Sequence, residues 1–157
     1  MGGGARLPAM SLNSVFPHLA DEGYVETSQA TRRYNCIAWA AGHTDAWWWP
    51  SPLAVHYWPE DAPREETLEA FLRMFATLGF AHGEDSHFEP GFEKVALFTR
   101  DGKPTHAARQ LIDGSWTSKL GEWLDVTHTL RGLEGPLYGV VAAYLKRPVL
   151  PATTNPP

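Results

Sequence analysis

The chain has 157 residues, of which 43% are hydrophobic and 20% charged, and a formal net charge of −5. That length suits one domain with a single large core, and an acidic balance with no Lys/Arg cluster excludes a protein that neutralises a run of nucleic-acid phosphates. One cysteine excludes an intramolecular disulfide and a multi-cysteine zinc site, and no apolar run reaches membrane-spanning length, so a soluble protein with no metal and no cofactor is expected.

Residues 1–10 are Gly-rich and without periodicity, and read as a flexible start. They lack the apolar region of a signal peptide, so a cytoplasmic location is expected. Residues 11–33 mix Pro17 and Gly23 with scattered apolar side chains and read as a packed loop. The next stretch, Tyr-Asn-Cys-Ile-Ala-Trp-Ala-Ala-Gly at 34–42, predicts a short buried helix capped by Asn35 and stopped by Gly42, with Cys36 in its first turn. There the free backbone N–H groups and the helix dipole favour a thiolate, which makes Cys36 a candidate nucleophile. The competing reading is an inert buried thiol on an apolar helix.

Residues 43–59 are dominated by Trp47, Trp48, Trp49 and Trp58 and are broken by Pro50 and Pro59. These rings either fill the core between elements or wall a substrate groove. Asp61, Pro63, Glu65 and Glu66 predict a helix start. Leu68, Phe71, Leu72, Phe75 and Leu78 form its apolar stripe, and Gly79 with Phe80 predicts a Schellman ending. The His- and acid-rich segment 82–87 matches no established metal-ligand spacing. Strands are predicted at 95–99, 105–112 and 115–119 in an antiparallel meander with turns at Asp101-Gly102 and Asp113-Gly114. A helix or loop follows at 125–134 and a last buried strand at 138–146. Residues 11–148 thus make one domain, and the proline-rich 149–157 reads as a disordered tail.

His106 opens the second meander strand and is followed by small Ala107 and Ala108. A helix-borne cysteine followed by a strand-borne histidine resembles the layout of papain-like cysteine hydrolases, in which the imidazole serves the thiol as base. The stretch from Tyr34 to Pro148 also resembles a domain family of uncharacterised bacterial proteins. It does so through Tyr-Asn-Cys-Ile-Ala-Trp-Ala at 34–40, Trp-Trp-Trp-Pro at 47–50, Pro-Thr-His-Ala-Ala-Arg-Gln at 104–110 and Trp-Thr-Ser-Lys-Leu-Gly at 116–121. The resemblance implies a papain-like α+β fold, with N-terminal helices packed on an antiparallel meander, Cys36 as nucleophile and His106 as base.

The strand after His106 offers Trp116, Thr117 and Ser118 where papain-like enzymes place an orienting Asn, Asp, His or Gln. If Asp113-Gly114 is a two-residue turn, Ile112 pairs with Ser115 and His106 falls beside Glu122, the candidate orienter. Ser118 then lies opposite Arg109 as a structural hydrogen-bonder, while Asp125 and His128 return from the following loop. Gln29 and Asn35 are the two candidate oxyanion donors. Two functions are consistent with this pattern. One is a cysteine hydrolase or acyl transferase acting on the amide or ester bond of a peptide or small acylated substrate. The other is a non-catalytic binding or toxin-associated module that retains the fold. Neither involves nucleic acid or a membrane, and no protein partner is identified.

Overall fold

Val95, Ala96, Leu97 and Phe98 are all fully buried, so their strand is covered on both faces. A strand with one wet face alternates polar and apolar residues, and this run does not. It lies in β3 (Phe92–Arg100), near the middle of a seven-stranded sheet. The other strands are β1 (Tyr24–Glu26), β2 (Ala81–Gly83), β4 (Lys103–Gln110), β5 (Trp116–Lys119), β6 (Asp125–His128) and β7 (Val140–Pro148). The order is β1-β6-β5-β4-β3-β7-β2 and every neighbouring pair is antiparallel. The computed structural model describes residues 9–149; residues 1–8 and 150–157, which hold most of the expected flexible start and tail, lie outside them.

Helices cover both faces. On one face, α3 (Cys36–Ala41) and α4 (Leu68–Thr77) pack with Trp48 and Trp58 over Val95, Leu97, Ala107 and Leu145. On the other, Leu12 of α1 (Ala9–Val15), Leu19 of α2 (Leu19–Glu22) and Leu133 of α5 (Leu130–Leu133) close over Ala96, Phe98, Ala108 and Val126. The architecture is therefore mixed, helix with a dominant antiparallel sheet, as the meander implies. Residues expected to form a loop at 11–33 instead contribute α1, α2 and the edge strand β1. The 125–134 segment splits into β6 and α5, because Val126 and His128 have a strand partner in β5.

Local signals hold where the chemistry is local. The Asn35 side chain accepts from the Ala38 N–H at 3.1 Å, and Gly42 ends α3 with φ 90°. At the end of α4, Gly79 N–H reaches Ala76 C=O and Phe80 N–H reaches Phe75 C=O, the two bonds of a Schellman motif. Its start differs from expectation. Thr67, not Asp61, is the N-cap, with its side chain accepting from Ala70 N–H. The residues before it are held in an irregular turn, where Trp58 Nε1 donates to Pro63 C=O.

The Asp101-Gly102 turn is the expected two-residue hairpin, both residues at positive φ. The Asp113-Gly114 turn is not. Leu111 N–H bonds Ser115 C=O and Gly114, at φ 90°, bonds Leu111 C=O, which makes a three-residue loop of 112–114. Arg109 therefore pairs with Thr117, and Ser118 moves from opposite Arg109 to opposite Ala108. One residue of shift exchanges the two faces of β5.

Phe71 is fully buried and meets Trp49 and Trp58 edge-on at 5.3 and 5.0 Å between ring centres. Phe71→Ala is expected to cost about 3–5 kcal/mol in urea unfolding. A loss below ~1 kcal/mol contradicts its place at the junction of α4 and the tryptophan segment.

Candidate active site

Cys36 is the first residue of α3 and is 6% exposed at the edge of a cavity of about 320 Å³. Helix α3 is locked onto the sheet by Trp39, whose Nε1 donates to Thr117 Oγ1 at 3.0 Å and whose C=O accepts from Arg109 Nε at 3.3 Å. Burial pushes the Cys36 thiol up to about 11, against the pull of the Ala107 N–H, the Ile37 N–H, the Lys119 charge and its own N–H. The expected thiolate is thus overruled at rest. A six-residue helix and a few N–H groups do not offset the loss of water around a sulfur anion.

His106 is fully buried on β4. Strand alternation sends Ala107 into the α3 core and His106 with Ala108 toward the opposite core. Its ring stacks on Tyr138 with centres 4.0 Å apart and planes 12° apart. Cys36 reaches the same strand one residue away, at the Ala107 N–H. No hydrogen bond joins the thiol to the imidazole, and His106 Nδ1 is a buried atom without a partner.

The partner of His106 is Ser118. His106 Nε2 lies 2.8 Å from Ser118 Oγ, which lies 2.7 Å from Nε2 of His128 on β6. His128 Nδ1 lies 2.6 Å from the Thr129 carbonyl oxygen. A carbonyl only accepts, so His128 Nδ1 carries the hydrogen and its Nε2 is an acceptor. The Ser118 hydroxyl donates to that nitrogen and accepts from His106 Nε2–H. The order of donors leaves Nδ1 of His106 as a bare lone pair. Burial lowers both histidines, His106 well below 6.5 with His128 adding to the effect, and His128 to about 4.

The other sequence-derived candidates separate. Glu122 is half-exposed and pairs with Arg32 at 2.6 Å, so it does not hold His106; the one-residue register change is the reason. Gln29 is exposed and does not line the cavity. Asn35 lines it, with Oδ1 bound to the Ala38 and Trp48 N–H groups and Nδ2 donating to Trp48 C=O at 2.7 Å. Of the four tryptophans, Trp47 and Trp49 line the cavity, whereas Trp48 and Trp58 are buried in the α3 core. Asp125 accepts from the Tyr34 hydroxyl at 2.9 Å. In the 82–87 segment Asp85 is taken by Lys94 at 3.0 Å, and among the described residues no three His, Cys, Asp or Glu gather as a metal would require.

Sequence reasoning missed two neighbours. Tyr138 lines the cavity under His106, fixed by Thr105 Oγ1 donating to its carbonyl at 2.5 Å, and burial, then Cys36, raises its hydroxyl well above its ordinary value. The next residue is necessarily glycine, since a Cβ at Gly139 would sit 1.9 Å from the Thr99 carbonyl oxygen. Lys119 is fully buried, donates to the carbonyls of Thr31 at 2.7 Å and of Gly121, and lies 5.1 Å over the Tyr34 ring. Burial lowers it to about 8, opposed by Asp125 and Cys36. With the register known, the alternation Thr117, Lys119 would have placed it on the α3 face.

Residues 25–146 match the family described as Domain of unknown function (DUF7689). The chain belongs to the DUF7689 family. The match begins in β1 and ends in β7, so it holds Cys36, His106, Ser118, Lys119, His128 and Tyr138, while α1 and α2 fall before it. No curated protein and no solved structure matches this DUF7689 chain. Among its described residues no helix is long and apolar enough to cross a membrane.

Because both histidines are held neutral, the unfolded chain binds more protons than the folded one below pH ~6.5. Their contribution to stability is complete above that value and is lost as pH falls toward 4, where His128 titrates. Each histidine is expected to add up to about 1.4 kcal/mol per pH unit to the slope between those limits. Urea unfolding at pH 7.5, 6 and 5 should show the loss, with a shallower slope in His128→Gln.

Proposed function

We propose that this DUF7689 protein is a cysteine hydrolase or acyl transferase on a papain-like scaffold, cleaving an amide or ester bond with Cys36 as nucleophile and His106 as base. The observation that carries the reading is the bare, buried Nδ1 of His106. A buried acceptor without a partner costs about 1–3 kcal/mol, and here the partnered nitrogen is fixed as a donor by Ser118 and His128. Ser118 and His128 thus do the orienting work that a papain-like enzyme assigns to an Asn, Asp, His or Gln.

In this mechanism the pair rests neutral, and the proton leaves sulfur as the S–C bond forms. Nδ1 takes the thiol proton, Sγ attacks the carbonyl carbon, and the oxyanion is met by the N–H groups that already face the sulfur, those of Ala107, Ile37 and Cys36. Collapse breaks the C–N or C–O bond, and Nδ1–H protonates the leaving amine or alcohol. Water or an amine then attacks the thioester, giving its proton to Nδ1, and the thiol is restored. Lys119 adds positive charge beside the sulfur throughout.

The raised thiol favours a second reading, a binding module whose cavity holds a ligand without reacting. Alkylation of Cys36 by iodoacetamide, followed by mass, separates the two. In the enzyme, Cys36 reacts at neutral pH more slowly than an exposed thiol of pKa ~8.5, and His106→Gln slows it at least a further ~10-fold with the fold retained. Ser118→Ala gives an intermediate rate and a melting temperature below wild type, because two buried ring nitrogens lose their partner. An unchanged rate in His106→Gln with a lowered melting temperature supports the binding module.

A further inference from the structure

The cavity beside Cys36 is walled by the rings of Trp47, Trp49, His56 and Tyr138, and no Asp, Glu, Lys or Arg lines it. Residues 47–49 and 56–58 run side by side, with Trp49 N–H on Tyr57 C=O and Tyr57 N–H on Trp47 C=O, both at 3.0 Å. Alternation then turns Trp47 and Trp49 to the cavity and Trp48 to the core. Arg64 ties the two limbs together, donating to Ser51 C=O at 2.8 Å and to His56 C=O at 3.2 Å, and both of those residues line the cavity. Trp49 is further held by its edge contact with Phe71. The walls are therefore set before a ligand arrives, which lowers the ordering cost of binding.

We infer that this cavity receives the acyl part of the substrate, and that the acyl part is an uncharged, flat group of aryl-acyl type. The inference rests on the hydrolase reading for the word acyl and on the cavity alone for the rest. No charged side chain of the lining is there to pair with a carboxylate or an ammonium, whereas an aromatic ring would meet rings. At roughly 30 Å³ for each water-sized unit, 320 Å³ holds on the order of ten heavy atoms, the size of a phenylpropionyl group. Transfer balances as R–CO–X plus Cys36–SH giving R–CO–S–Cys36 plus HX, and water then returns the acid and the thiol.

The test uses the full chain and two readouts. Calorimetric titration of Cys36→Ser, or of Cys36→Ala if the serine variant is misfolded by circular dichroism, compares 3-phenylpropanamide, acetamide and succinamate. Phenylpropanamide is expected to bind saturably, at least ten-fold tighter than either of the others, and Trp47→Ala is expected to weaken it ten-fold while Trp47→Phe restores most of the affinity. Wild type incubated with 4-nitrophenyl 3-phenylpropionate is expected to gain one phenylpropionyl group at Cys36 by mass, faster than with the acetate or succinate esters. Binding without acylation keeps the inference about the cavity and removes the hydrolase reading. Acylation that prefers succinate or acetate keeps the nucleophile and overturns the inference, as does a failure of phenylpropanamide to bind or indifference to Trp47→Ala.

Discussion

Burial of the central strands on both faces is the constraint from which the rest of this structure follows. With α3 and α4 on one side of β3 and β4, and α1, α2 and α5 on the other, every side chain at the middle of these strands leaves water. Apolar residues are stabilised by that transfer, but each polar one needs a partner inside the protein. Thr117, Ser118 and Lys119 on β5 are all buried, and each is satisfied in a different way: by the Trp39 indole, by two imidazoles and by two backbone carbonyls. The same burial raises the thiol of Cys36 and lowers both histidines, so the chemistry available at the site follows from the layering.

The two candidate reacting groups come from opposite layers. Cys36 belongs to the α3 side, and the His106 ring to the side of Phe98 and Tyr138. Beside His106 the register of β4 against β3 shifts between Phe98 and Thr99, and there the chain around Tyr138 folds over the sheet, tied by Thr105. Gly139 permits that closure because only hydrogen fits against the Thr99 carbonyl. The cavity, the stacked Tyr138 and the thiol therefore share one edge of the molecule, with the aromatic ladder of residues 47–49 and 56–58 as its outer wall.

Much of the fold could be read from the chain because its signals are local. Asn35 and Gly42 bound α3, Gly79 and Phe80 close α4, and the unbroken apolar run 95–98 announces a strand with two buried faces. Cys36 and His106 stand out for the same reason, each being an unusual residue in an otherwise apolar element. The start of α4 differs from the sequence expectation because acids and a proline suit an irregular turn as well as a helix start, and the contacts that decide between them, Trp58 to Pro63 and Arg64 to Ser51, involve residues outside the segment.

What the chain by itself determined is which segments are helix and strand at their strongest points, and it singled out Cys36 and His106 as the two candidates for chemistry. Which side chains meet was decided only by the tertiary structure. Asp-Gly closes a two-residue loop at 101–102 and the last two positions of a three-residue loop at 112–114, and that single residue moves Ser118 onto the face of His106 and Lys119 onto the face of Cys36. A strand repeats every two residues, so an error of one is an error of face, and loop length is set by how the whole sheet packs. The protonation of Cys36 is of the same kind. The position of a cysteine at a helix start argues for a thiolate, but burial is a property of everything packed around it, and here burial wins.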